Sequence, residues 1–214
     1  MRGHPGQRAA CSHWAAALLP SVLMAIRKIA TIGHPVLRKV ARPLTKEELR
    51  SPETQRFIDD LVETMFDANG AGIAANQVYE PIRVCVVCVK DNPRYPYKPN
   101  IPLTILVNPE IDLEPGETFD NYEGCLSVPN LRGLVPRATR GRMRAWDRDG
   151  KPMELEIKGL TAGTFQHEVD HLDGKLFVDR VKDTTSLATW QDFERFHMAG
   201  FVERAKELVA RFGS

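Results

Sequence analysis

The residues best equipped for chemistry in this chain stand together as His167-Glu168-Val169-Asp170-His171. On a helix that repeats every ~3.6 residues, the two imidazoles share one face and can reach the same divalent metal. Glu168, beside the first of them, is well placed to move protons for a water held by that metal. A catalytic site of this kind takes three protein ligands and keeps one position open, so the third ligand decides the chemistry. The pattern H-E-x-x-H-x-x-G-x-x-H is excluded. Gly174 fills its glycine position, but Phe177 stands where its third histidine belongs.

Two other residues compete for the third place. Glu194 lies in Trp190-Gln191-Asp192-Phe193-Glu194-Arg195-Phe196, whose spacing suits an amphipathic helix with Glu194 on its wet side. Cys125 lies in Glu123-Gly124-Cys125-Leu126-Ser127, where a glycine permits close backbone approach. A lone cysteine is more often a small buried hydrophobe than a ligand, so residue type alone leaves both open.

Three segments taken together carry more. Gly70-Ala71-Gly72-Ile73-Ala74-Ala75-Asn76-Gln77, Glu123-Gly124-Cys125-Leu126-Ser127 and Gln166-His167-Glu168-Val169-Asp170-His171-Leu172 resemble, in order and separation, the three signature motifs of the peptide deformylases. The resemblance runs from about Met24 to the C-terminal helix. It implies that Cys125, His167 and His171 hold one ferrous iron, with zinc or nickel as substitutes. The donor types themselves suit zinc or ferrous iron. One thiolate and two imidazoles leave a divalent ion net positive, which acidifies its water.

The resemblance further implies a general acid/base role for Glu168, which calls for a raised pKa. Gln77 and the backbone N–H of Leu126 would form the oxyanion hole. Ala71, Gly72 and Gly124 would offer main-chain groups to an extended peptide. The implied substrates are formyl-methionyl nascent peptides, with formate released; similar proteins can contact the ribosome through their C-terminal region. No direct nucleic-acid recognition and no membrane association are expected. The chain departs from the family in two places. Ile73 replaces a frequent leucine, and Gly163 stands where a larger side chain is common. Gly163 is expected to widen a methionine pocket lined by Leu160, Thr164 and His167, although glycine in a helix costs about 1 kcal/mol relative to alanine. Two rivals remain: an endopeptidase with Glu194 as third ligand, and a non-enzymatic ribosome-docking module, which should have lost the ligands or Glu168.

These residues need a scaffold. The expected fold is α+β: antiparallel strands around a central metal-binding helix, with another helix in the N-terminal half and a C-terminal helix. Ser51-Pro52-Glu53 starts the first helix, Ile58, Leu61, Val62, Met65 and Phe66 face inward, and Asn69-Gly70 ends it. The metal helix spans Gly163 to Leu172, and the C-terminal helix about Trp190 to Arg211, with Phe193, Phe196, Val202, Ala205, Leu208 and Val209 inward. Arg83 to Val89 reads as a strand, so Cys85 and Cys88 point to opposite faces and cannot share a metal. Asp91 to Pro102 is a proline-rich loop beside the site, after which Thr104 to Asn108 resumes the sheet. Arg140–Trp146 and Met153–Ile157 form a hairpin turning at Asp149-Gly150, its arginines paired with Glu154 and Glu156 rather than with phosphate.

With 214 residues, 43% hydrophobic, the chain suits one domain over 24–214. A net charge of +1 gives no global case for nucleic acid or membrane. No acidic residue precedes Glu47, and residues 1–23 read as an extension: an upstream start, a transit peptide or a secretory signal, the last weakened by Pro20. The favoured reading is a disordered or loosely helical extension without chemistry. No run approaches the ~20 apolar residues of a membrane span. The cysteines show no disulfide framework, which suits a reducing compartment: the cytoplasm, or an organelle if residues 1–23 are a transit peptide.

Overall fold

The computed structural model describes residues 25–90 and 97–214, so the 1–23 extension and the first half of the proline-rich loop lie outside the described residues. A short helix α1 (Lys46–Arg50) opens with a capping box, in which Thr45 and Glu48 each satisfy the other's backbone N–H. Helix α2 (Pro52–Asp67) starts as Ser51-Pro52 predicts, with Ser51 Oγ accepting from Thr54 N at 3.1 Å. Asn69 ends it in the left-handed region at φ 51°. Ile58, Leu61 and Met65 are buried and Val62 packs against them, but Phe57 takes the inward place expected of Phe66, which is exposed. Five residues beyond Leu61, the helix has turned Phe66 past its inward face.

Strands β1 (Gly72–Ala74), β2 (Val84–Val89) and β3 (Ile101–Leu113) follow, then β4 (Thr118–Cys125), β5 (Val128–Ala138), β6 (Arg140–Trp146) and β7 (Pro152–Lys158). Strand β3 starts at Ile101, so Pro102 opens a strand instead of closing the loop; its side chain is exposed and its missing N–H costs little at a strand start. The metal helix α3 (Gly159–Leu172) begins four residues before the expected Gly163. Gly159, at φ 52°, turns the chain directly from β7 into the helix. The chain ends with β8 (Ala188–Thr189), α4 (Trp190–Asp192), a π-helical stretch Phe193–His197 and α5 (Met198–Phe212). One antiparallel sheet has the order β1-β2-β3-β6-β7 and the other β4-β5-β8, with α3 between them. The fold is α+β, as expected.

Cys85 packs with Met143, Phe165 and Leu172, whereas Cys88 lies against the α2 side of the sheet, so the two thiols do occupy opposite faces. In the β6–β7 hairpin Arg142 pairs with Glu154 at 3.1 Å. Arg144 instead reaches Asp112 on β3 at 2.9 Å, and Glu156 takes Lys158 at 3.0 Å.

The C-terminal helix departs from its expected phase. The π-helical stretch inserts extra backbone, so Phe196 swings out while Phe201 rotates in beside Phe193. Phe201 and Phe193 then form an aromatic cluster with Tyr97 and Tyr122 at centroid distances of 5.1 Å (Tyr97–Phe201) and 4.8 Å (Tyr122–Phe193). Phe201→Ala should therefore cost about 3–5 kcal/mol in urea unfolding. Phe196→Ala should stay within about 0.5 kcal/mol. Equal losses would contradict the shifted phase.

Candidate active site

Strand β4 and helix α3 lie side by side with matched repeats. Alternate residues of β4, Phe119, Asn121, Glu123 and Cys125, are all buried. Two strand residues advance ~6.6 Å and four helix residues ~6 Å, so each step on one element meets a turn of the other. Gly163 faces Phe119 and Asn121, and a Cβ there would come to 3.2 Å from each. One turn on, His167 Nδ1 meets Glu123 Oε2 at 2.8 Å. One further turn brings His171 Nε2 to 3.1 Å from Cys125 Sγ.

The ligand atoms of Cys125, His167 and His171 all lie within 4.8 Å of one another. With Nδ1 engaged by Glu123, His167 has Nε2 for a metal. Burial alone would push the Cys125 thiol up, but His171 and His167 hold it well below the usual thiol range, the thiolate being the ligand form. These residues fit a resident divalent ion by donor type and convergence. Glu194 is exposed and belongs to no such cluster among the described residues.

Glu168 is buried one residue along the helix. Burial raises its pKa and the Cys125 thiolate adds to this, against His167, His171 and Lys98. Among the described residues its Oε2 has no hydrogen-bond partner. A Cβ on Gly72 would collide with this carboxylate, which is why β1 carries glycine there. Gln77 sits in the 3-10 turn Ala75–Val78 that follows β1. Its Oε1 accepts from Ala74 N at 2.8 Å, which turns its NH2 toward Ser127 Oγ at 3.0 Å and Cys125 Sγ at 3.5 Å. Asn76 Nδ2 donates to the carbonyl of His171, tying the same turn to the metal helix.

Behind the candidate ligands runs a charge chain, buried except at its Arg180 end, that the motifs did not reveal. Arg137 grips Glu123 with Nε at 2.7 Å and Nη2 at 2.9 Å, and its Nη1 reaches Asp170 Oδ2 at 2.6 Å. Arg180 holds the other Asp170 oxygen at 2.6 Å. Burial opposes the charged form of Glu123, yet Arg137 and then His167 hold its carboxyl far below the usual range. Glu123 could have been found from the two-residue alternation ending at Cys125. Arg137 and Arg180 carry no local signal. Ser127, which donates its N–H to Cys125 Sγ at 3.3 Å, was likewise read only as part of a motif.

A cleft opens over these groups, lined on one side by Gly70, Ala71 and Gly72 and on the other by Gly124, Cys125 and Leu126. Gly163, Thr164, His167 and Glu168 form its floor, with Gln77 at the side. Leu160 is not part of it. Helix α5 covers the first turn of α3, and Leu160 packs there against Phe119 and Ala205. Gly163 does reach the cleft, but its missing side chain chiefly lets β4 approach α3. Lys98, Tyr122 and Arg132 also line the cleft and were not anticipated.

Imidazoles and a thiolate converging beside a buried, proton-hungry carboxylate, under a strand edge able to take a peptide, define a metal-dependent hydrolase. Relatives narrow the class. The family model for "Polypeptide deformylase" matches residues 26–186. Peptide deformylase 2 of Bordetella bronchiseptica is 44% identical over 162 residues, 76% of this chain and 91% of that protein. Peptide deformylase 2 of Nostoc sp. is 40% identical over 166 residues, 78% of this chain and 92% of that protein. The Met-Ala-Ser-bound class I type b peptide deformylase of Acinetobacter baumannii superposes with a TM-score of 0.72 at 40% identity, covering 74% of this chain and 100% of that one. The chain belongs to the peptide deformylase family, hydrolases that remove the formyl group from an N-terminal methionine.

Removing the cation at the centre of the charge chain leaves Glu123 with His167 alone and Asp170 with Arg180 alone, so Arg137→Met should cost about 3–5 kcal/mol. Glu123 and Asp170 are both held below the ordinary carboxylate range. Such groups stabilise the fold above the unfolded pKa of about 4 and lose that contribution as pH falls toward their folded values. The gap between wild type and Arg137→Met in urea midpoints should thus narrow on acidification; a gap that widens would contradict the ionic account.

Proposed function

We propose that the chain hydrolyses the formyl group of formyl-methionyl peptides at one ferrous iron held by Cys125, His167 and His171, releasing formate. The observation that carries this is the convergence of those three ligand atoms within 4.8 Å, beside the buried Glu168. Family membership favours iron; zinc or nickel suits the same donors. When bound, the metal supplies Lewis acidity toward the formyl oxygen and lowers the pKa of water to near neutrality.

The protein's own groups do the rest. Glu168 takes the proton of the attacking water and returns it to the departing amine, and its raised pKa suits both steps. Gln77 Nε2, steered by the anchored Oε1, and the N–H of Leu126 are neutral donors for the developing oxyanion. The peptide lies extended along the edge of β1, its main chain meeting Ala71 and Gly72 on one side and Gly124 on the other. The first side chain enters beside Gly163 and Thr164. The substrates are nascent chains, met in the cytoplasm and brought close by ribosome contact through the C-terminal segment. The catalytic domain spans 24–214, and residues 1–23 serve no chemistry; as a transit peptide they would direct the enzyme to an organelle.

Anaerobically purified protein should carry one iron and release formate from formyl-Met-Ala-Ser. Glu168→Gln should lower kcat by about 10²–10⁴ with the metal retained, and Cys125→Ala should lose the metal. Full iron occupancy without formate, or a metal-retaining Cys125→Ala, would defeat the reading.

A further inference from the structure

The two histidines of the site are held differently. His167 has the Glu123 carboxylate on its Nδ1 at 2.8 Å. His171 turns Nε2 toward Cys125 Sγ at 3.1 Å, so Nε2 is its ligand atom and the ring proton belongs on Nδ1. Among the described residues that Nδ1 has no hydrogen-bond partner, although His171 is fully buried. A buried donor left unmet costs about 1–3 kcal/mol. Asn76 is fully buried too, and its Nδ2 donates to the carbonyl of this same His171. A carbonyl only accepts, so the amide cannot be turned round. Asn76 Oδ1 is thereby a buried acceptor with no hydrogen-bond partner among the described residues.

The unmet donor and the unmet acceptor are complementary, and they belong to two residues already bonded to each other. We propose that Asn76 is the positioning residue for His171: its Oδ1 takes the Nδ1 proton through one buried water and fixes the ring with Nε2 toward the metal. The inference deepens the metal-site reading above and rests on it. The rings of His167 and His171 stand at 79° to each other, with centroids 4.9 Å apart. Their ligand atoms converge with Cys125 Sγ only while that mutual twist is kept. A carboxylate keeps it for His167 and a neutral amide for His171. The second support therefore adds no negative charge behind the ligands, and a bound divalent ion stays positive enough to acidify its water. Asn76 shares the 3-10 turn Ala75–Val78 with Gln77, so one turn orients a ligand and the proposed oxyanion donor together.

The test uses the full chain loaded with zinc, a d10 ion that leaves NMR signals sharp. It follows the rate of zinc loss to a chelator and the imidazole N–H proton of His171. Asn76→Leu removes both hydrogen bonds at similar volume, whereas Asn76→Asp keeps the acceptor and loses only the donor to the carbonyl. Asn76→Leu should speed zinc loss about 10–100-fold and move the His171 proton upfield; Asn76→Asp should restore most of both. If Asn76 merely ties its turn to α3, the two variants speed zinc loss equally, and that result overturns the inference. Should Asn76→Leu fail to fold, the wild type decides alone. A His171 Nδ1 proton at the position of an unbonded imidazole overturns the inference while bound zinc still upholds the metal site. A wild type that holds no zinc brings down both.

Discussion

Everything in the site depends on the register between β4 and α3. A strand that advances two residues and a helix that advances four cover nearly the same distance, so one rail of side chains can meet another over three consecutive turns. Gly163 with Phe119 and Asn121, His167 with Glu123, and His171 with Cys125 are those turns. Slipping β4 by one residue would turn Cys125 and Glu123 to the far face together. The convergence of the candidate ligands and the contact that supports His167 therefore come from one packing decision, and Gly163 is the residue that lets the rails approach.

Two buried glutamates sit on either side of the ligand His167, and their surroundings drive them apart. Glu123 is gripped by Arg137 and stays ionised, orienting the imidazole. Glu168 has no cation in contact among its described hydrogen bonds and is pushed toward the protonated form by burial. Carboxylates separated in this way divide naturally into a fixed charge and a proton carrier. The Glu123–Arg137–Asp170–Arg180 chain keeps the first role from drifting toward the second, since each buried charge has an opposite neighbour.

Much of this was legible in the residues. Helix α2 could be read from Ser51-Pro52 and Asn69-Gly70 because capping is local chemistry, and the β6–β7 hairpin from alternation around Asp149-Gly150. The ligands were legible through motif resemblance, and Cys125 only through it. What stayed hidden was non-local. Arg137 and Arg180 look like any strand or loop arginine until the fold brings Asp170 between them. Leu160 sat on the right helical stripe, but no local pattern revealed that α5 would cover its turn. The inserted π-helical backbone reset the phase that put Phe196 inside, and Lys98 reaches the floor from a loop whose path no periodicity describes.

The meeting of recognition and catalysis turns on a single absent methyl group. An exposed strand edge usually invites unwanted pairing and is kept short or covered. Strand β1 is three residues long and ends its sheet, so its free edge is small and lies on the cleft. Because Gly72 has no Cβ, the Glu168 carboxylate packs directly against that strand's backbone. A peptide registered by main-chain hydrogen bonds to β1 would thereby have its terminal acyl group set against the Glu168 carboxylate, with side-chain identity playing no part in that distance. On the proposed reading, strict placement of the formyl carbon would follow from the backbone of β1, which would measure position, while the pocket beside Thr164 would read the first side chain.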